Sequence, residues 1–481
     1  MTQRYSSSTV LAVRVSTVHL SLLACGVTCW LLSWAAVSAQ DLVQVDPRSF
    51  GFEIPVGPVS AGNNQYVLTA GQDGNPVVAK VYVTVGEHRI VMLPDGRLVA
   101  RSVNQSPLTD RRFVPTTSSE LAEQLGRALP GFKTKRTHHY LFVYNTSENF
   151  ALVTSRILES MFPGMKAHAR AQRIDVHEPE VPLVALMFRT EDEMQAYRRM
   201  ARGVVAYYHT VTNRIVMYEE SKRPKVTRDL AIKQAIATIA HEGAHQILHN
   251  IGVQKRLSIW PMWLSEGLAE YYAPTSFGKR LRWKGAGQVN DLRMFELELY
   301  LKSGDSERTD GQMLEQTVTA AQLTSTGYAS AWSLTHYLAK TNRSSFYKYV
   351  REVSQLEPLQ VAGHTESKGI IPANMDLFKK YFGDDPALIE RGLVRHLKGL
   401  PYKDPFADSP HFAATVIVPA PRRAKRDANL FHSRKLARKW IKETLKTVPD
   451  QERSAARSEV RPFPNRLMAE RYVRSWLRYG Q

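Results

Sequence analysis

An α+β fold is predicted by three features of the sequence. Residues 65–114 hold short β-branched and aromatic runs broken by turn residues, residues 139–218 alternate strand-like and helix-like segments, and helix patterns dominate from Arg228 onward. With 481 residues the chain is long enough for two or three domains with hydrophobic cores. The divisions expected are 1–39 as a signal peptide, 40–117 as a small β domain, 129–400 as the main α+β domain, and 401–481 as a basic C-terminal module.

The N-terminal segment carries Arg4 and Arg14 without an acid, then an apolar run from Leu20 to Val37 that ends in Val37-Ser38-Ala39. That order is the pattern of a cleaved secretory signal, which would send the protein to the periplasm, the cell surface or the medium. The run is also close to the length of an uncleaved membrane anchor. Both cysteines, Cys25 and Cys29, fall inside this segment, so neither a disulfide nor a cysteine metal ligand is expected in the rest of the chain.

In the small β domain, strands are expected at Tyr66-Val67-Leu68 and at Val78 to Val85, followed by a hairpin around Pro94-Asp95-Gly96, where Asp-Gly suits a tight turn. The stretch VMLPDGRLVARSVNQSPLTDRRFV, Val91 to Val114, resembles the SH3-like homology domain of endocytic adaptors and some bacterial exported proteins. The resemblance implies a small barrel that binds or spaces.

A helical linker is expected over Ser118 to Ala128. Strand His139 to Tyr144, helix Ser147 to Phe162, strand Leu183 to Phe188, helix Glu191 to Arg199 and strands Val204 to Tyr208 and Arg214 to Tyr218 follow. Arg228 to Ile251 is the best helix in the chain, with Thr227 as a candidate cap and Gly252 just past its end. A second helix should run from Pro261 to before Pro274, and a third over Tyr328 to Lys340. Beyond Pro401 loops are expected to Pro421, then a basic segment from Arg422 to Lys446 with ten Lys or Arg against Asp427 and Glu443. No internal repeat is evident.

The best helix contains His241-Glu242-Gly243-Ala244-His245. A spacing of four puts both imidazoles on one helical face, where they can grip one metal ion, with the intervening Glu242 near it as a base. By itself the pattern also describes two surface histidines and a salt-bridging acid. Trp263-Leu264-Ser265-Glu266-Gly267-Leu268-Ala269-Glu270-Tyr271 then offers a carboxylate after a loop and a return helix. Two histidines and one carboxylate suit Zn2+ and leave a fourth position for water, the mark of a catalytic site.

HEGAH followed by WLSEGLAEYY resembles the gluzincin metallopeptidases, over roughly Leu129 to Leu400. More narrowly, AYYHTVTNRIVMYE, TIAHEGAHQILHN and PMWLSEGLAEYYAPT are similar to a bacterial family of exported peptidases inferred mostly from sequence. The resemblance implies a thermolysin-like catalytic domain with a mixed sheet and an edge strand that pairs with substrate. It implies a zinc site of His241, His245 and Glu266, Glu242 as general base, and Glu270 orienting a zinc-bound histidine. GYASAWSLTHYL resembles the helix that supplies an oxyanion donor, which implies Tyr328, with His336 as the competing donor. The Gly-x-Met-Glu-Asn signature of one aminopeptidase branch is absent. His249 lacks the flanking residues of a metzincin and is read as structural.

The implied activity is hydrolysis of a peptide or protein substrate by metal-activated water. One alternative is an inactive peptidase scaffold that binds a partner at the cell envelope. Another is a polyanion-binding protein, since the formal charge is +19 and a tail this basic is drawn to anionic envelope surfaces. Export argues against nucleic acid as that partner.

Overall fold

The computed structural model describes residues 45–220, 228–276, 282–302, 305–362, 370–420 and 424–479. The expected signal segment, both cysteines and the Thr227 cap lie outside these residues. Among the described residues no helix is long and apolar enough to cross a membrane. The chain is a mixed α+β protein with three sheets among the described residues, and it divides into two compact units at Leu400/Pro401.

The first unit opens with strands β1 (Val59–Ala61), β2 (Tyr66–Ala70), β3 (Pro76–Val85), β4 (His88–Met92) and β5 (Leu98–Ser102), paired β1-β3-β4-β5 with β2 also on β3. Gly96, at φ +83°, makes the β4–β5 turn as its Asp-Gly pair predicts. The expected linker is helix α1 (Ser118–Ala128), closed by a Thr117/Glu120 capping box. It is no linker, because Leu121 and Leu125 are buried on the second sheet.

That sheet, in order β6-β7-β8-β10-β9, comprises β6 (Lys133–Arg136), β7 (Tyr140–Tyr144), β8 (Leu183–Thr190), β9 (Ala206–His209) and β10 (Arg214–Glu220). Strands β7, β8 and β10 run parallel, while β6 and β9 are antiparallel edges. Helix α2 (Glu148–Ala171) runs through Pro163 rather than stopping at Phe162. Proline in a helix interior costs about 3 kcal/mol, but the turns beyond it bury Met165 and Ala169 completely. After the short α3 (Glu191–Tyr197) comes α4 (Arg228–Asn250), whose chain turns away at Gly252, φ +88°.

The remainder of the first unit is helical: α5 (Met262–Tyr272), α6 (Asp291–Lys302), α7 (Asp305–Arg308), α8 (Gln312–Thr319), α9 (Ser325–Thr341), α10 (Arg343–Ser354), α11 (Ile370–Phe382) and α12 (Pro386–Lys398). Arg256, after α4, ties these parts together. Its side chain donates to the carbonyls of Thr210 (2.7 Å), Gly96 (2.8 Å) and Val211 (2.8 Å), and its backbone N–H donates to Tyr82 Oη (2.7 Å). One buried guanidinium thus joins the first sheet to the turn between β9 and β10.

The second unit has strands β11 (His411–Val418), β12 (Lys425–Phe431) and β13 (Arg457–Phe463), ordered β12-β11-β13, with helices α13 (Arg434–Lys446), α14 (Asp450–Arg453) and α15 (Arg466–Tyr479). The stretch expected to be loop up to Pro421 therefore contains the central strand, His411–Val418. Its HFAATVIV run lacks polar alternation because both its faces are covered. The described part of the basic segment is strand β12 and helix α13.

This unit also corrects the absence of repeats. At an offset of 32 residues, Lys425–Phe431 superposes in sequence on Arg457–Phe463, and Phe431, Ser433, Ala437, Trp440, Ile441 and Leu445 on Phe463, Asn465, Ala469, Tyr472, Val473 and Leu477. Ser433 caps α13 through Leu436 N–H, and Asn465 makes the same bond to Met468 N–H. Phe431 packs on Trp440 at 5.9 Å between ring centroids, and Phe463 on Tyr472 at 5.0 Å. Only similar residue types are retained, so the repeat is visible once the two strand-helix units are aligned.

Replacing Arg256 by Met should leave the Thr210 and Gly96 carbonyls without this partner, while Val211 O keeps the Leu98 N–H, and lower stability by about 2–4 kcal/mol in urea unfolding. Replacement by Lys, which cannot fork to three acceptors, should recover only part of that loss.

Candidate metal centre

Helix α4 lies against the second sheet through a buried amide network. Gln246 Nε2 donates to Val184 O (3.1 Å) and Asn213 O (2.8 Å), Asn250 Nδ2 donates to Asn213 Oδ1 (2.7 Å), and Asn213 Nδ2 to Asn250 Oδ1 (2.8 Å). Asn213 sits at φ +57° in the β9–β10 turn, where asparagine is tolerated. These bonds set the height and rotation of α4, and hence where its histidines stand. Gly243 lets α2 approach, since a Cβ there would lie 2.3 Å from Leu158 Cδ2.

The second requirement is that α5 bring its acids to the same point. A Cβ on Gly267 would fall 2.2 Å from Thr335 Oγ1 and 2.6 Å from the Ala331 carbonyl oxygen, so this glycine allows α5 to pack directly on α9. Its neighbour Glu266 then faces α4. Glu266 Oε2 is 3.0 Å from His241 Nε2 and 3.3 Å from His245 Nε2, and the two Nε2 atoms are 3.2 Å apart.

His241, His245 and Glu266 can therefore hold a metal ion: one donor atom from each lies within 4.8 Å of the others, and among the described residues no other group of three does so. The charges fit the same conclusion. Glu242, Glu266 and Glu270 crowd around two imidazoles with Arg293 as the cation at their side, which leaves a formal deficit that a divalent cation balances. Glu296, which also pairs with Arg293 at 2.8 Å, is partly open to water.

Burial opposes ionisation of Glu266, yet the charges and hydrogen bonds of His245 and His241 hold its carboxyl well below the usual range. Glu270 is also opposed by burial but is held down to about 2 by Arg293 and His241. Burial pushes the Glu242 carboxyl up, with His241 and His245 pulling it back.

Glu270 lies one turn after Glu266. Its Oε1 is 2.9 Å from His241 Nδ1, although the ring N–H is not aligned along that line, and 2.5 Å from Arg293 Nη2, while Oε2 accepts from Asn290 Nδ2 at 2.8 Å. The Tyr328 ring stands 5.8 Å from the His241 ring, with the Arg293 guanidinium 5.3 Å from its centroid. The Glu266 charge, then burial, pushes the Tyr328 phenol up, so it stays protonated. His336 stands elsewhere: its Nδ1 is 2.9 Å from His396 Nε2, and its ring lies against Tyr271 and Trp332. His249 stacks on Tyr208 and bonds to the Gln254 carbonyl, and burial holds it down at about 3, an uncharged packing residue.

Glu242 accepts a 2.7 Å hydrogen bond from the backbone N–H of Tyr208. Tyr208 belongs to edge strand β9, so this N–H points away from β10 and toward α4. Tyr208, Arg293, Asn290, Gln246, Asn250 and Asn213 were not singled out in the sequence. AYYHTVTNR and HQILHN carry four of them, but spacing along the chain does not reveal amides that meet only across α4 and the sheet.

A family model described as protein of unknown function (DUF1570) matches residues 235–360. That window holds His241, Glu242, His245, Glu266, Glu270, Arg293 and Tyr328. No curated protein matches the chain.

Two substitutions test this construction. Gly267→Ala should overpack the α5–α9 contact, costing about 1–3 kcal/mol in denaturant unfolding. Arg293→Met should weaken metal binding about 10- to 100-fold, measured by competition with a chromophoric chelator, because Glu270 loses its anchor beside His241.

Proposed function

We propose that this protein is a zinc-dependent peptidase of the gluzincin type, hydrolysing peptide bonds of a peptide or protein substrate. The observation that carries the reading is the meeting of His241, His245 and Glu266 from two helices, with Glu242 beside them and tied to an edge strand. Two imidazoles and one carboxylate suit zinc, and three protein ligands leave room for a reacting water.

A zinc ion bound there supplies Lewis acidity and lowers the pKa of water toward about 7. Glu242 takes a proton from the attacking water and later hands it to the leaving amine. Burial raises its carboxyl and so makes it a better base, and the Tyr208 N–H holds one of its oxygens in place. Tyr328, kept protonated, donates to the developing oxyanion. Glu270, braced by Arg293 and Asn290, orients His241. Beside the Tyr208 N–H that Glu242 occupies, the outer edge of Ala206–His209 is suited to an extended substrate backbone. The first sheet is read as an SH3-like spacer, which its attachment through Arg256 to the turn behind that edge supports.

Metal content and hydrolysis of a mixed peptide library are the deciding measurements, on residues 40–481 and on Glu242→Gln. About one zinc per chain in both proteins, with cleavage by the parent alone, is the expected result. Full activity in Glu242→Gln, or no zinc in the parent, overturns the proposal. Tyr328→Phe should lower kcat about 100-fold with little change in KM.

A further inference from the structure

The C-terminal unit, residues 401–481, contains 18 Lys and Arg against 8 Asp and Glu, so it holds +10 of the chain's +19 in about a sixth of its length. Its duplication separates what packing demands from what it does not. The positions shared by the repeats on the inner side are core and cap residues, and buried Ala437 and Ala469 are among them. On the two helices, three positions exposed in both copies are also shared in chemical type: Lys439 with Arg471, Lys442 with Arg474, and Lys446 with Arg478. No core contact requires a cation there. The spacing i, i+3, i+7 puts each set of three on one helical face.

The two sets lie on opposite sides of the sheet. On β11, Phe412 pairs with Phe431, and the face bearing both is covered by Leu436, Ala437 and Trp440 of α13. The neighbouring residue His411 pairs with Phe463, whose ring packs at a tilt against Tyr472 of α15. Successive residues of a strand point to opposite faces, so α13 and α15 cover opposite faces and their outer stripes look in opposite directions. Among the described residues only weak contacts engage the stripes: Lys439 reaches Glu443 at 3.6 Å in an exposed pair, and Arg478 lies over the exposed Tyr479 ring. On α13 the stripe is extended by exposed Arg434, Lys435 and Arg438.

We propose that the duplicated unit is a two-sided binding module for a linear acidic polysaccharide, each helix neutralising one stretch of the polymer. Along a helix the three cations are separated by about 4.5 and 6 Å, a spacing that suits acidic groups carried on successive sugars. A flat anionic bilayer can meet only one of two opposed stripes at a time, whereas a flexible chain can bend around the unit or bridge two copies of it. Nucleic acid is the less favoured polymer because Trp440 and Tyr472 pack inward on Phe431 and Phe463, which leaves exposed Tyr479, under Arg478 at the end of α15, in place of a row of stacking platforms along the stripes.

The test titrates the full chain with polygalacturonate and a size-defined heparin oligosaccharide, alongside a single-stranded DNA of matched charge and vesicles rich in phosphatidylglycerol. Binding to both polysaccharides is expected to weaken about 20- to 40-fold between about 50 and about 200 mM salt, as for some three neutralised charges per stripe. Long polygalacturonate should also cross-link the protein, read as turbidity. K439Q/K442Q/K446Q and R471Q/R474Q/R478Q should each weaken binding on the order of tenfold and abolish turbidity, with zinc content and circular dichroism unchanged. The six-fold combination should not bind. Parental affinity in both triple variants overturns the site, turbidity that survives either one overturns its two-sidedness, and tighter binding to the DNA or the vesicles overturns the ligand class. None of these readings depends on peptidase activity.

Discussion

Three glutamates, two imidazoles and one guanidinium share a largely dry space between α4, α5 and α6, and most of the first unit serves to keep them there. Charges in such a space are tolerated only when each has a partner. Glu270 has Arg293, Asn290 and the His241 ring, Glu242 has the Tyr208 N–H, and Glu266 has both imidazoles. The carboxylates still outnumber the permanent cation, and a divalent ion at the three converging donors removes the imbalance. The same ion would convert a costly cluster into a coordinated centre, which links the stability of this region to its chemistry.

Holding that cluster in register depends on glycine and amide more than on apolar bulk. Gly243 and Gly267 let α2 and α9 approach backbones that any larger residue would keep away. The Gln246, Asn250 and Asn213 amides then fix α4 on the sheet, and Arg256 fixes the β9–β10 turn from behind. The edge strand that touches Glu242 is thereby supported from two sides. A one-residue slip of β9 would remove the Tyr208 N–H from Glu242 and turn every side chain of the strand over.

The second unit solves a different problem with the same economy of sequence. Two copies of one strand-helix hairpin enclose β11, each with its own cap, small buried alanine and tilted aromatic pair. Their outer surfaces have diverged at Lys435/Leu467 and Arg438/Glu470, while cations exposed in both copies persist at three matched places on the helices. Arg466, the counterpart of Arg434, has been drawn into a buried pair with Asp404 at 2.6 Å, whereas Arg434 lies over the Phe412 ring.

Local patterns were enough for the α+β class, for the span of α4 and α5, and for the placement of His241 and His245 on one face, because helix periodicity and caps act within a few residues. Glu266 was legible for a similar reason: it lies one loop and one turn of helix from His245. Proline at 163 misled, since burial of Met165 and Ala169 outweighs one missing hydrogen bond, and β11 misled because a strand covered on both faces has no alternation to read. The partnership of Arg293 with Glu270, of Tyr208 with Glu242, and of Asn213 with α4, and the opposed placement of the two cationic helices, were decided only by tertiary structure. Those contacts join segments whose separation along the chain carries no signal, and their energies exist only after the helices have packed.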